Sequence, residues 1–172
     1  DAATKLIKIA SRRLQSKSFV INIHNDEYDK FCSTFPYVET DDQLNAINDV
    51  INDFDKAIPS DRLIVGDVAF GKTEVIIRAL FLAAKSKVQS IVFVPTTLLS
   101  RQHYINFKKR FSLFNIKIAE VSRLISNKEK LKIYKDCAEA KIDILIGTHA
   151  LLNDQLLFKN LGLIIYDEEQ KL

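Results

Sequence analysis

Methionine is absent from this chain of 172 residues, cysteine occurs twice, and no apolar run approaches the length of a membrane span. Without methionine the chain does not begin at its own translation start unless the initiator was removed, so an excerpt from a longer protein is the expectation. The two cysteines, Cys32 and Cys137, stand far apart with neither a CxxC spacing nor a nearby histidine pattern. That argues against a disulfide framework and against a metal site, and leaves reduced, structural thiols in a cytoplasm. The longest apolar stretches, LGLII and IVFV, are far shorter than the roughly 20 residues a spanning helix requires. No signal-peptide pattern opens the chain, so no membrane partner is expected and a cytoplasmic location is. Internal repeats and low-complexity tracts are also missing. Charge is nearly balanced, with 25 Lys and Arg against 22 Asp and Glu, giving +3 and a pI near 8.8. Such a balance permits nucleic-acid contact without demanding it.

What is present suffices for one ordinary core: 47% of the residues are hydrophobic, which at this length argues for a single domain with an appendage. From Ala3 to Leu14 the apolar positions Ala3, Leu6, Ile7, Ala10 and Leu14 recur at helical spacing, which predicts an amphipathic helix seeking a partner surface. Its Lys5, Lys8, Arg12 and Arg13 read first as a solvated face. Residues Phe19 to Phe35 carry only a weak pattern. Thr40, Asp41 or Asp42 can cap a helix whose apolar face includes Leu44, Ile47, Val50 and Ile51, ending before Pro59.

After Pro59 short β-branched runs alternate with helical patterns. Strands are expected at Leu63 to Val65, Ser90 to Val94, Ile116 to Val121, Ile142 to Ile146 and Leu161 to Tyr166. Helices are expected at about Gly71 to Lys85, Thr97 to Phe111, Asn127 to Ala138 and His149 to Gln155. That spacing is the one expected of βαβ crossovers. Nearly all-apolar strands such as IVFV and LGLII should be covered on both faces, as in a parallel sheet wrapped by helices.

Gly66, Asp67, Val68, Ala69, Phe70, Gly71, Lys72 and Thr73 match GxxxxGKT, between the apolar run LIV and an apolar helix. This is the context a phosphate-binding loop requires. Backbone N–H groups and the positive end of the helix would face phosphates, Lys72 would reach the β- and γ-phosphates, and Thr73 would ligate Mg²⁺. An accidental glycine turn is the competing reading. The motif points to ATP and Mg²⁺ without naming the reaction.

Asp167, Glu168, Glu169 and Gln170 follow the strand LGLIIY, at the carboxyl end where ligands of open α/β sheets gather. A strand-end Asp167 can hold Mg²⁺, and Glu168 can orient and deprotonate a water for attack on the γ-phosphate. Alone, the cluster would read as a solvated acidic turn. With the phosphate loop it resembles the DExx box of superfamily 2 helicases and translocases, in their first RecA-like lobe.

Other segments resemble that superfamily's motifs in order. TDDQLNAI around Gln43 is similar to the upstream glutamine motif, whose amide reads adenine; Gln43 offers the donor and acceptor this needs, although by itself it reads as a helix surface residue. VPTTLLSRQHY resembles motif Ia, and IGTHALL resembles the GT-containing motif before the box. Thr96, Thr97 and Thr148 could hold backbone phosphates of nucleic acid without reading bases, or simply cap helices. Arg101, Arg123, His103 and His149 could add charge or hydrogen bonds along such a track, or be ordinary surface residues.

The runs DRLIVGDVAFGKTEVIIRALFLA, VPTTLLSRQHYINFKKRF, KIDILIGTHALL and LGLIIYDEE resemble the motor of the bacterial transcription-repair coupling factors, and FCSTFPYVETDDQ resembles the connector preceding it. The resemblance implies a helical connector over 1–38 and the first RecA-like lobe over 39–172. It implies an ATP-driven translocase on double-stranded DNA, with RNA polymerase and excision-repair proteins as partners of the full-length protein only. A RecG-type branch-migrating helicase is the alternative relative, and an inert, truncated nucleotide-binding remnant is a reading of a different class. A P-loop kinase or transporter would leave VPTTLLSRQHY and IGTHALL unexplained. Two positions depart from the family's pattern: Ala69 where glycine is usual and Gln170 where histidine is. There is no room for a second lobe, whose arginine fingers can supply about 10³ to 10⁵ in rate, so ATP binding with little or no turnover is expected.

Overall fold

A computed structural model describes residues 2–21, 26–66, 71–148 and 155–167. The chain divides after Ala79 into two compact units.

The N-terminal unit contains α1 (Ala2–Gln15), α2 (Asp26–Ser33), α3 (Asp41–Phe54) and the first residues of α4 (Lys72–Lys85). α1 is the amphipathic helix expected, with Ile7 and Leu14 of its apolar stripe largely exposed among the described residues. α2 occupies a stretch with little periodicity. Asp26, Glu27 and Asp29 in its first turn complement the helix dipole. At eight residues it is too short to persist alone, and Phe31, fully buried, anchors it. The segment after α1 is tied to the end of α3 by Ser18 N–H donating to Ala57 O at 2.9 Å and Ile21 N–H to Phe54 O at 3.2 Å.

α3 starts in a capping box, the Thr40 hydroxyl accepting from Gln43 N–H and Gln43 Oε1 accepting from Thr40 N–H. Its buried face differs from the expected one. Ile47 is buried, but Leu44 is exposed, and Gln43 and Asp53 take buried positions. Burial of these polar groups is tolerated because they are partnered: Asp53 accepts from Arg62 Nε at 2.5 Å and Lys56 Nζ at 2.9 Å. The Arg62 bond holds the Asp53 carboxyl below its ordinary pKa; burial opposes it, and the Lys56 bond adds to the lowering.

The expected strand Leu63 to Val65 is not one. Residues 61–66 are irregular, with Leu63 77% and Val65 85% exposed. Alternating β-branched composition makes a strand only where a neighbour completes the ladder, and among the described residues none pairs with this segment. Arg62 instead fastens it to α3 through Asp49 and Asp53.

The C-terminal unit holds the rest of α4, β1 (Gln89–Phe93), α5 (Thr97–Arg110), β2 (Ile118–Val121), α6 (Asn127–Ala138), β3 (Ile144–Gly147) and β4 (Leu161–Tyr166). The four strands form one parallel sheet in the order β2-β3-β1-β4. The expected strands and helices of this half recur with ends shifted by one or two residues. The expected helix at His149 to Gln155 lies outside the described residues, except for Gln155, which sits in a turn.

Strands β1 and β3 are buried throughout, as anticipated for a covered parallel sheet. β4 alternates instead, with Ile164 51% and Tyr166 53% exposed among the described residues. Among the described residues it is a sheet-edge strand. Ile91, Phe93, Ala119, Val121, Tyr134, Cys137 and Leu145 form one core cluster. Also buried in this unit, Phe81 of α4 meets Phe111 and Phe114 at 6.5 and 5.2 Å between centroids. Burying each such ring contributes about 1.5–3 kcal/mol.

Gln89 is a polar residue in this core, 2% exposed. Its Nε2 donates to Cys137 O at 3.0 Å and Ile142 O at 2.7 Å, and its Oε1 accepts from Lys159 N–H at 3.1 Å and Asn160 N–H at 3.0 Å. All four bonds an amide side chain can make are made. One side chain thereby joins the end of α6, the approach to β3 and the approach to β4.

Candidate nucleotide and nucleic-acid site

In the N-terminal unit, Gly66 ends the irregular segment, Gly71 precedes α4, and Lys72 and Thr73 are its first two residues. Asp67, Val68, Ala69 and Phe70 lie outside the described residues. Gly71 adopts φ +64°, a left-handed conformation natural to glycine. Its carbonyl accepts from Glu74 N–H at 3.0 Å and from Gln43 Nε2 at 3.3 Å. Gln43 therefore links the α3 cap to the last glycine of the loop. Among the described residues, one amide hydrogen and one lone pair of Gln43 remain for another partner.

Gln43, Gly66 and Lys72 line one cleft of about 660 Å³ together with Asp49, Arg62 and Val75. Its volume falls within the roughly 300–1,000 Å³ of ligand clefts. Three sequence-designated residues from distant positions thus converge on one cavity. Behind them, buried Arg78 pairs with Glu74 Nε to Oε1 at 2.9 Å and also with Glu39. Burial alone would disfavour its charge, but the bonds to Glu74 and Glu39 outweigh burial and raise its pKa. This network braces the first turns of α4. An i,i+4 Glu–Arg pair was visible in the sequence, but not its burial.

In the C-terminal unit the carboxyl ends of β1, β3 and β4 lie side by side. Asp167 N–H donates to Phe93 O at 2.9 Å, and Val94 N–H to Gly147 O at 3.0 Å. Asp167 thus stands at the strand end expected. Glu168 and Gln170 lie outside the described residues, as does His149. His103, read as a possible surface contact, is instead 7% exposed, with Nε2 at 2.6 Å from Asp167 Oδ2.

Thr96 caps α5, its hydroxyl accepting from Leu99 N–H at 3.2 Å, and Thr97 opens the helix. Thr148 follows β3 at 9% exposure. Arg101 is not an isolated charge: it pairs with Glu120 at 3.2 Å and lies over the Tyr104 ring. Arg123 is exposed in the turn after β2. Lys72 and Thr73 belong to one unit, and Asp167 and the threonines after β1 and β3 to the other.

A family model described as DEAD/DEAH box helicase matches residues 40–172. The chain belongs to the DEAD/DEAH box helicase family. Membership makes it a helicase-type motor domain and implies nucleotide binding. The transcription-repair-coupling factor of Escherichia coli (strain K12) is 47% identical over 99% of this chain and 15% of its own length. That of Borreliella burgdorferi is likewise 47% identical, with the same coverage. The chain therefore spans 15% of the length of these two relatives.

Among solved structures, RecG bound to a three-way DNA junction matches with a TM-score of 0.88 and 34% identity, over 96% of this chain and 23% of that one. A hypothetical ATP-dependent RNA helicase from Sulfolobus tokodaii matches at TM-score 0.66 and 17% identity, over 86% of this chain and 42% of that one, a likeness of fold alone. The RecA-like α/β fold expected from the sequence is the fold found. Among the described residues no helix is long and apolar enough to cross a membrane.

Proposed function

We propose that this chain is the ATP-binding lobe of a superfamily 2 double-stranded DNA translocase acting in transcription-coupled repair in the cytoplasm. Residues 1–38 form its connector and 39–172 its first RecA-like lobe. The observation that carries the reading is the likeness to transcription-repair-coupling factors over 99% of the chain, which includes the connector as well as both nucleotide motifs. RNA polymerase and excision-repair proteins are partners of the full-length protein. The likeness to RecG supports a second reading, the motor lobe of a branch-migrating helicase; its lower identity, 34% against 47%, ranks it second.

In this reading Gly66 to Thr73 cradle the phosphates of ATP, with Lys72 offset against the β- and γ-phosphate charge and Gln43 turned to the adenine. Each unit supplies a hard oxygen of the kind Mg²⁺ takes: the Thr73 hydroxyl in one, and in the other an Asp167 carboxylate oxygen that has no partner among the described residues. Bound Mg²⁺ supplies charge neutralisation at the transferring phosphoryl group. Glu168 orients and deprotonates the attacking water. Thr96, Thr97, Arg101, Arg123, Thr148 and His149 contact DNA phosphates, and Arg101 must exchange its Glu120 pairing to do so.

Titration of the chain with a fluorescent ATP analogue and Mg²⁺, beside Lys72→Ala, tests the reading. Loss of charge-assisted phosphate bonds worth about 1.5–3 kcal/mol should weaken binding roughly tenfold to a hundredfold. Steady-state turnover in the same samples should be very low. Robust turnover would contradict dependence on a second lobe, and no binding by the folded chain would favour the inert remnant.

A further inference from the structure

His103 lies in the second turn of α5, with its ring stacked on Phe107 at 5.1 Å between centroids and 22° between planes. Burial and stacking hold the ring in place. A carboxylate only accepts, so the 2.6 Å contact to Asp167 Oδ2 is a bond donated by Nε2–H. The backbone of Asp167 is held separately, by its N–H on Phe93 O. Main chain and one carboxylate oxygen are therefore both fixed, while Oδ1 has no partner among the described residues. A histidine needed only to fill the core would have no reason to meet the acidic side chain that follows β4 among the described residues.

We propose that His103 is a positioning residue, which holds Asp167 by Oδ2 so that Oδ1 is presented to Mg²⁺. The inference rests on the reading of Asp167 as a metal ligand. Outer partners that orient metal-binding groups cost about 10- to 100-fold in metal affinity when removed. The helix that brings His103 to Asp167 also carries Thr96 and Thr97 at its start, so one rigid element serves the metal carboxylate and the candidate DNA contacts.

The test uses the 172-residue chain with Mn²⁺ as a paramagnetic probe in the presence of a fluorescent ATP analogue. His103→Leu should weaken Mn²⁺ binding by about 10- to 100-fold while leaving analogue affinity in EDTA unchanged. His103→Gln, which keeps an N–H donor, should restore most of the loss. In ¹⁵N spectra of the three histidines, the His103 Nε2 signal should shift in Asp167→Asn and on adding Mg²⁺ with the analogue. Unchanged Mn²⁺ affinity in a folded His103→Leu, or no shift in Asp167→Asn, would overturn the proposal. Should His103→Leu fail to fold, the spectra of the parent chain and of Asp167→Asn decide. If the parent chain binds the analogue and Mn²⁺ but Asp167→Asn binds Mn²⁺ equally well, the metal-ligand reading fails first, and the proposal with it.

Discussion

Substituting Gly71 by alanine would place a methyl group 2.0 Å from Gln43 Nε2 and 3.3 Å from Gln43 Cδ, at a residue whose φ is +64°. The left-handed backbone alone costs an L-residue about 1–2 kcal/mol. The methyl also forces the Gln43 side chain aside, breaking its bonds to Gly71 O at 3.3 Å and from Thr40 N–H at 2.9 Å. Net losses of about 0.5–1.5 kcal/mol for each bond bring the expected cost to roughly 2–5 kcal/mol. Urea unfolding followed by far-UV circular dichroism measures it. Gln43→Ala gives up the same two bonds but clears the space, so in that background Gly71→Ala should cost only the backbone share. The double-mutant cycle should therefore show a coupling of about 1–3 kcal/mol. An equal cost of Gly71→Ala in both backgrounds would refute the contact between the α3 cap and the loop. A small cost in both would refute the left-handed conformation itself.

Gln89→Leu should rank among the most damaging single changes, because it strands two carbonyls and two N–H groups around a buried site. At about 1–3 kcal/mol for each unmet group, partly relieved by relaxation, a loss on the order of 4 kcal/mol is expected in the same unfolding assay; a loss under about 1 kcal/mol would mean the four bonds are not made in solution. Asp53 links stability to acid. Its folded pKa lies below the unfolded one, so the unfolded chain binds more protons and stability rises with pH through that window. The contribution is complete above the unfolded value of about 3.9 and is lost as pH falls through the folded value. Asp53→Asn should be less stable than the parent at neutral pH, with the difference shrinking in acid; a difference independent of pH would exclude the Arg62 pairing as its source.

Much of this molecule is legible from local pattern. Among the described residues from β1 onward, the alternation of short apolar runs with helical spacing fell within two residues of the observed elements, because β-strand and helix periods differ and the caps at Thr96 and Ser126 mark where one gives way to the other. The expectation failed where a segment's state depends on a neighbour: Leu63 to Val65 has strand composition but no ladder partner among the described residues, and α2 lacks a repeating stripe because one buried ring, Phe31, anchors it.

The candidate site divides the same way. GxxxxGKT and the acidic run are contiguous strings of residues whose chemistry is written in their order, so Gly71, Lys72, Thr73 and Asp167 could be chosen without coordinates. Gln43 could be chosen too, but not its bond to Gly71, 28 residues away. His103 looked like one more surface cation, and Gln89, one residue before the expected strand at Ser90, carried no signal. Sequence by itself determined the alternating α/β class, the phosphate loop and the strand-end carboxylate, since each rests on residues adjacent along the chain. The strand order β2-β3-β1-β4, the four bonds of Gln89 and the grip of His103 on Asp167 were decided only in the tertiary structure, where burial leaves a polar group no water and its partner must come from a distant part of the chain.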